Sequence, residues 1–279
     1  MRNQADQLGS DLVEVTAHAG ARPSHAVWQG QIYSRSGKSR SYPDFVQATG
    51  YGTGAGLGGW NCRHSFYPYF EGTSRTYTKE LLDSYQAQNY TYNGRKMTEY
   101  EASQMQRGIE RQIRRWKREN AAMQAAGLDS TESAVKLRAW QEKQKDFLRQ
   151  TGLKRQTARE QVNGWSRKNA AQASGQATAS HKQWLKSIGA QDTSLSTLAK
   201  YYEAKYNNPQ TTEYKLLRIY ARDVENGWIS PNASFENYLN LHKRFQTEIV
   251  GRKTDDGTEI TGQRIHFMQR VLGTAVDPE

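Results

Sequence analysis

One cysteine, Cys62, stands in a chain of 279 residues. No disulfide can form within the chain, and synthesis in a reducing cytoplasm is the expectation. No apolar run of about 18 residues occurs, so no membrane-spanning helix is predicted. The first 20 residues, MRNQADQLGSDLVEVTAHAG, lack the apolar stretch of a signal peptide. Apolar side chains are scarce, at 35%, and the mean hydropathy is −0.94. Thin cores, exposed helices and partner-covered surfaces are expected rather than one large core. Acidic residues are outnumbered: 28 Asp/Glu against 39 Lys/Arg leave a net charge of +11. Such a surface attracts polyanions, nucleic acid above all, or an acidic protein partner.

What the chain does contain is concentrated. Residues 50–64, GYGTGAGLGGWNCRH, hold six glycines within ten positions and include the single cysteine. Gly54, Gly56 and Gly59 satisfy G-x-G-x-x-G, the spacing of a dinucleotide-binding loop. That chemistry needs a buried strand directly before the loop and a helix directly after it, because the phosphate rests on the helix's first N–H groups. Tyr42-Pro-Asp-Phe-Val-Gln-Ala-Thr49 and Trp60-Asn-Cys-Arg-His64 fit neither role. No acidic residue follows where a ribose contact requires one, and no Gly-Lys-Ser/Thr is present. The match is accidental. The glycines are expected to permit sharp turns and close backbone approach, with Trp60 and the aromatic cluster Phe66–Phe70 as anchors.

Periodicity organises the rest. Residues 11–16 and 28–34 read as short strands, and SRSGKSR at 34–40 as a polar turn. Met105, Ile109, Ile113 and Trp116 recur at spacings of 4, 4 and 3, the stripe of an amphipathic helix over 98–126 that stops at Gly127. Ala134, Leu137, Trp140, Phe147 and Leu148 predict a second helix ending at Gly152, paired antiparallel with the first. AAQASGQATAS at 170–180 reads as a loop or linker. Helical patterns follow over 184–188, 195–206 and 212–226, and Ser234 with Asn237 suggests a weak capping box. Residues 247–254 and 258–261 flank Asp255-Asp-Gly257 as a β-hairpin, and 263–272 form a last helix.

The resulting fold class is α+β. A small α+β domain covers 1–92, a basic helical hairpin 93–172, and a linker with short helices 173–210. The mostly helical C-terminal region ends in a small α+β tail over 211–279 with its short β-hairpin.

The basic charge is localised: residues 93–172 carry 18 Lys/Arg against 9 Asp/Glu. Arg107, Arg111, Arg114, Arg115, Lys117 and Arg118 surround the apolar stripe of the first helix. Glu110 is placed to pair with Arg114 at i,i+4, worth only a few tenths of a kcal/mol, so most of these cations are expected to face solvent, DNA phosphates or an acidic subunit.

Metal ligands cluster as well. His18, His25, Cys62 and His64 fall within 47 residues and could close a tetrahedral zinc site, although their spacing is not that of a known finger. The alternative is local hydrogen bonding with Cys62 as a small buried residue. Hydrolytic triads and paired carboxylates are not indicated.

Ala21-Arg-Pro-Ser-His-Ala-Val-Trp-Gln-Gly-Gln-Ile-Tyr-Ser34, followed by Gly59-Trp-Asn-Cys-Arg-His64, resembles the phage minor capsid protein 2 group and, more distantly, the phage Mu protein F-like head-morphogenesis family. Arg22, Ser24, His25, Gly30, Trp60, Cys62, Arg63 and His64 carry the match, and the GIERQIRRWKRE helix is similar to the basic helix of these proteins. The resemblance covers roughly residues 8–170. It implies a structural, non-enzymatic virion protein without a cofactor, apart from the zinc considered above. Its implied partners are portal or capsid proteins, with DNA along the basic helices and an oligomeric state dictated by the virion. Relatives often carry a cysteine where this chain has Gly58, so one candidate ligand is missing here. Phe235-Glu-Asn-Tyr238, His242-Lys-Arg-Phe245 and Glu248-Ile-Val-Gly251, with Ile265-His-Phe-Met-Gln-Arg-Val-Leu272 after them, more weakly resemble the start of nuclease-like toxin domains of the barnase, EndoU and RelE sort. This implies an alternative, an RNase-type effector, for which His242, His266 and Arg270 are the candidates.

Overall fold

The computed structural model describes residues 5, 7–263 and 265–273, without the side chains of Ile265 and His266. The architecture is α+β and mostly helical. Two compact units divide it: residues 1–107 with 150–152, and residues 108–149 with 153–279.

In the first unit, strands β1 (Leu12–Val15), β2 (Ile32–Ser34) and β3 (Phe66–Pro68) form an antiparallel sheet in the order β2-β1-β3. Val13 pairs with Tyr33 on one side and Pro68 on the other. Alternation along β1 separates two environments. Val13 and Val15 enter a core with Trp28, Tyr33, Phe45, Leu57 and Phe66. Glu14 is equally buried, but its carboxylate accepts from the Tyr67 hydroxyl at 2.7 Å and from the Thr76 and Tyr77 N–H groups. Around the sheet lie the single turn α1 (Pro23–Ala26), α2 (Phe45–Thr49) and α3 (Lys79–Tyr85). The strand expected over 28–34 begins only at Ile32, because Trp28–Gly30 form a turn in which Gly30 takes φ +64°. A second hairpin pairs β4 (Tyr90–Tyr92) with β5 (Arg95–Met97). Asn93 and Gly94 both have positive φ in its two-residue turn, as a right-twisted hairpin prefers.

The helices predicted from periodicity are present as α4 (Glu99–Ala125) and α5 (Thr131–Thr151). Ile109, Ile113, Ala134, Leu137 and Phe147 are buried, whereas Met105, Trp116, Trp140 and Leu148 are half-buried. Near the connection, the Asn120 amide donates to the Ser130 carbonyl and the Ser133 hydroxyl. The loop expected at 170–180 is instead the interior of α6 (Arg167–Ser187). A reciprocal cap explains the difference: Ser166 Oγ accepts from the Asn169 N–H while Asn169 Oδ1 accepts from the Ser166 N–H. Beyond that cap, an alanine-rich stretch has high intrinsic helix propensity.

Helices α7 (Leu198–Asn207), α8 (Thr212–Glu225), α9 (Phe235–Arg244) and α10 (Ile265–Leu272) follow. Their core collects around Tyr220, whose ring lies 5.5 Å from Phe235 and 5.2 Å from Tyr238, centroid to centroid. Ser234 caps α9 as expected, accepting from the Asn237 N–H. The expected 247–254 strand is a correction. Phe245–Ile249 continue α9 as a π-type turn, held by the Arg244–Glu248 ion pair. Only a narrow hairpin remains, with Lys253 opposite Glu259 and the Thr254 N–H donating to Thr258.

Candidate functional site: the glycine loop, the His/Cys cluster and the basic helix

The glycine loop is folded onto itself. Backbone N–H groups of Thr53, Gly56, Leu57, Gly59, Trp60 and Cys62 all donate to carbonyls within residues 49–59. A phosphate cradle needs such groups unpaired and convergent. The loop also follows helix α2 rather than a strand, and β3 rather than a helix comes after it. At Gly56 a Cβ would overlap the Gly50 carbonyl, so glycine is required there by backbone contact with backbone. The loop's product is placement. It aims the Ala55 carbonyl at His25, and it delivers Cys62 and His64 to the same pocket.

The two halves of the 22–64 motif meet. Arg22 donates from Nη2 to the Trp60 carbonyl at 2.8 Å. Gly30 is buried, and a Cβ there would stand 2.6 Å from a Leu82 methyl and 3.0 Å from Tyr77 Cβ. The Trp60 ring lies over Gly54, although the residue as a whole is 78% exposed. Ser24 is exposed. Arg63 lines the cavity described below.

His25, Cys62 and His64 present ligand-type atoms within 4.8 Å of one another. His25 Nδ1 lies 3.4 Å from His64 Nδ1, and Cys62 Sγ lies 3.6 Å from His64 Nδ1. His18, the fourth residue expected in this set, is placed differently. Its ring stacks on His64 at 4.4 Å and its Nδ1 meets the Ala19 carbonyl. Trp28 closes the other side, edge-on to His64. Burial drives the His64 pKa down to about 4, helped by the neighbouring His18, His25, Arg22 and Arg63. Burial also lowers His25, with the Ala55 hydrogen bond opposing it. Both rings are thereby held neutral at physiological pH. A cavity of about 470 Å³ opens onto the cluster, lined also by Arg22, Asn61, Arg63 and Arg107.

Sequence reading missed Gln29 and Ala55, which bond the outer nitrogens of the two rings: His64 Nε2 to Gln29 Oε1 at 3.0 Å, and His25 Nε2 to the Ala55 carbonyl at 2.9 Å. Gln29 lies inside the 21–34 stretch, and its amide between Trp28 and Gly30 was the available signal. Ala55 contributes only a backbone atom, for which no side-chain signal exists.

The six cations of the basic helix divide. Arg111, Arg115 and Arg118 are exposed, and their i, i+4, i+7 spacing sets them on one face of α4. Arg114 and Lys117 turn inward: Arg114 donates to the Arg159 carbonyl, and Lys117 Nζ to the Glu160 carbonyl at 2.8 Å. Burial accordingly lowers the Lys117 pKa. Arg107 is half-buried beside the His/Cys cavity. The expected Glu110–Arg114 pair is replaced, because the turn Thr157–Glu160 packs there and brings Arg159 to 3.9 Å from the buried Glu110.

In the C-terminal region, His242 Nδ1 bonds the Gln263 amide at 3.0 Å, and burial lowers its pKa. Arg270 is exposed on α10, and the side chain of His266 lies outside the described residues.

The parts that meet in the first unit are a tied glycine loop, a His/Cys cluster and a two-part motif, the signature that resembles phage head proteins. The family described as phage minor capsid protein 2 matches residues 1–149, more than half of the chain. The protein belongs to that family. A structural protein of Lactococcus phage LL-H is 36% identical over 120 residues, 42% of this chain and 30% of that protein. A structural protein of Lactococcus phage mv4 is 36% identical over 116 residues, 40% of this chain and 86% of that one. The chain thus spans about 30% of the LL-H relative's length. No solved structure matches it. Among the described residues, no helix is long and apolar enough to cross a membrane.

Proposed function

We propose that the protein is a minor structural component of a tailed-phage virion, seated at the portal or on the capsid interior, with its basic helix turned to packaged DNA. Membership of the phage minor capsid protein 2 family over residues 1–149 carries this reading. Both phage relatives are structural proteins, which supports it. The geometry of α4 supports the DNA contact. Arg111, Arg115 and Arg118 share an exposed face, and guanidinium groups so spaced can each displace a counterion from a phosphate backbone. The N-terminal unit is the docking module in this scheme, its loop stiffened by internal bonds so that the exposed Trp60 and Val27 can meet a neighbour without reordering.

A mass-spectrometric inventory of purified virions and of DNA-free precursor heads tests the proposal. The expected result is the chain in both, at a fixed ratio to the portal protein. Absence from both particles, together with RNA cleavage by the purified chain that is lost in His242→Ala, would overturn it in favour of an effector.

A further inference from the structure

We infer that His25, Cys62 and His64 form a zinc site in which both histidines coordinate through Nδ1 and water completes the tetrahedron. Such a site stands on its own geometry, whatever place the protein takes in a virion.

Hydrogen positions decide which ring nitrogens are free. Gln29 Oε1 accepts from the His18 backbone N–H at 3.1 Å. A backbone N–H can only donate, so that atom is the amide's oxygen and the usual side-chain flip ambiguity is removed. His64 Nε2, at 3.0 Å from the same oxygen, must therefore carry its proton. His25 Nε2 meets a carbonyl, that of Ala55, at 2.9 Å, and must do the same. In a neutral imidazole one nitrogen bears the proton and the other a lone pair. Both lone pairs are consequently on Nδ1, and these two atoms face each other at 3.4 Å.

Two lone pairs this close in a buried pocket repel; the Cys62 S–H, 3.6 Å from His64 Nδ1, is a weak donor that can satisfy one of them, whereas an electrophile shared by the three atoms satisfies both. A proton would serve, but it would place a positive charge in a buried pair already close to Arg22 and Arg63. A metal ion serves better, because the third atom of the cluster is sulfur. Zinc bonds of about 2.0–2.1 Å to nitrogen and about 2.3 Å to sulfur give tetrahedral edges of about 3.4 Å between nitrogens and about 3.6 Å between nitrogen and sulfur. Two of the three edges match, at 3.4 Å and 3.6 Å; the third, between His25 and the Cys62 sulfur, lies within 4.8 Å and closes to the tetrahedral value when Cys62 turns onto the ion. Gln29 and Ala55 supply the outer acceptors that ligating histidines characteristically have, which fix the tautomer and the ring orientation. The adjoining cavity gives an ion a route to the site and leaves a fourth position for water. His18 stays outside the coordination sphere. Its Nε2 is buried without a partner among the described residues, but its ring stacks on His64. On binding, the Cys62 thiol loses its proton to solvent and coordinates as thiolate.

The full chain, purified without added metal and stripped with a chelator, is titrated with Zn²⁺ against a chromophoric competitor and, separately, with Co²⁺ alone. One equivalent of Zn²⁺ is expected, as is a Co²⁺ spectrum showing thiolate charge transfer and tetrahedral d–d bands. Cys62→Ser should abolish the charge-transfer band and weaken Zn²⁺ binding at least ~100-fold. Gln29→Leu should weaken binding about 10–100-fold while keeping the band. His18→Gln should change affinity less than about threefold, since it supplies no ligand atom. Circular dichroism establishes that each variant is folded. Zinc stoichiometry near zero in the folded wild-type chain, or a cobalt band that survives Cys62→Ser, would overturn the site. A weakening with His18→Gln as large as that with Cys62→Ser would overturn the three-ligand assignment.

Discussion

Arg22 holds the carbonyl of Trp60 at 2.8 Å, so the residue at the start of α1 grips the far end of the glycine loop. Cys62 and His64 lie between this tie and β3 of the sheet, which fix the short segment that carries them. Arg22→Ala should cost about 0.5–1.5 kcal/mol, the range for a single hydrogen bond, in urea unfolding. The larger effect should be local: amides of residues 54–62 should exchange faster with solvent. Unchanged exchange there would mean that the loop's internal bonds suffice without the guanidinium.

Gly30 and Gly94 offer a matched comparison. Both have positive φ, yet a Cβ at Gly30 would press on Leu82 and Tyr77 while one at Gly94 meets nothing within 4 Å. Gly94→Ala should cost about 1–2 kcal/mol for the left-handed backbone alone. Gly30→Ala should cost about 2–4 kcal/mol, because overpacking is added to the same backbone strain. Equal destabilisation in thermal or urea unfolding would show that the Gly30 environment yields freely.

The helical unit should carry an acid-sensitive lock at Glu160. Burial pushes this carboxyl up, but hydrogen bonds from Arg155 and Gln144, with the charges of Arg155 and Lys117, more than reverse it and hold the pKa below the ordinary 4.5. The folded state therefore binds this proton less readily than the unfolded chain does. Its stabilising contribution is present above pH 4.5 and is lost as pH falls through the lower folded value. Glu160→Gln should lower stability at pH 7 by about 2 kcal/mol and flatten the decline below pH 4.5. Denaturation midpoints across about pH 3–7 check both.

The inward and outward cations of α4 should separate in their phenotypes. Replacing Arg111, Arg115 and Arg118 by alanine should leave the unfolding midpoint near wild type and lower the salt dependence of DNA binding, by about 0.9 in log–log slope for each phosphate no longer neutralised. Lys117→Met should do the reverse. It removes the donor to the Glu160 carbonyl and destabilises the helical unit by about 1 kcal/mol, with little change in salt slope. Fluorescence anisotropy with a labelled duplex at several salt concentrations distinguishes them.

Periodicity made α4 and α5 readable, because Ile109, Ile113, Ala134 and Leu137 repeat at the helical period whatever their partners are. Ser234 was readable as a cap for the same local reason. The β4–β5 hairpin was missed, with residue 93 assigned to the helical hairpin, although Asn93-Gly94 is a short-range turn signal. Residues 170–180 were misleading: small polar residues look like a linker until the Ser166–Asn169 cap is seen to start a helix ahead of them. Residues 247–249 had strand-like composition but lay where α9 could simply continue.

The sequence by itself determined that this is a mostly helical, basic α+β chain with one cysteine near three histidines and a glycine loop unsuited to nucleotides. Those properties follow from composition and from short-range spacings. Only the tertiary structure decided that His25 and His64 face each other while His18 stacks aside, and that three arginines of α4 look outward while Arg114 and Lys117 look in. Both outcomes depend on which distant groups arrive beside each side chain: the carbonyls of Ala55, Arg159 and Glu160, and the side-chain amide of Gln29. Chain closure over tens of residues sets that arrival, and no local pattern encodes it.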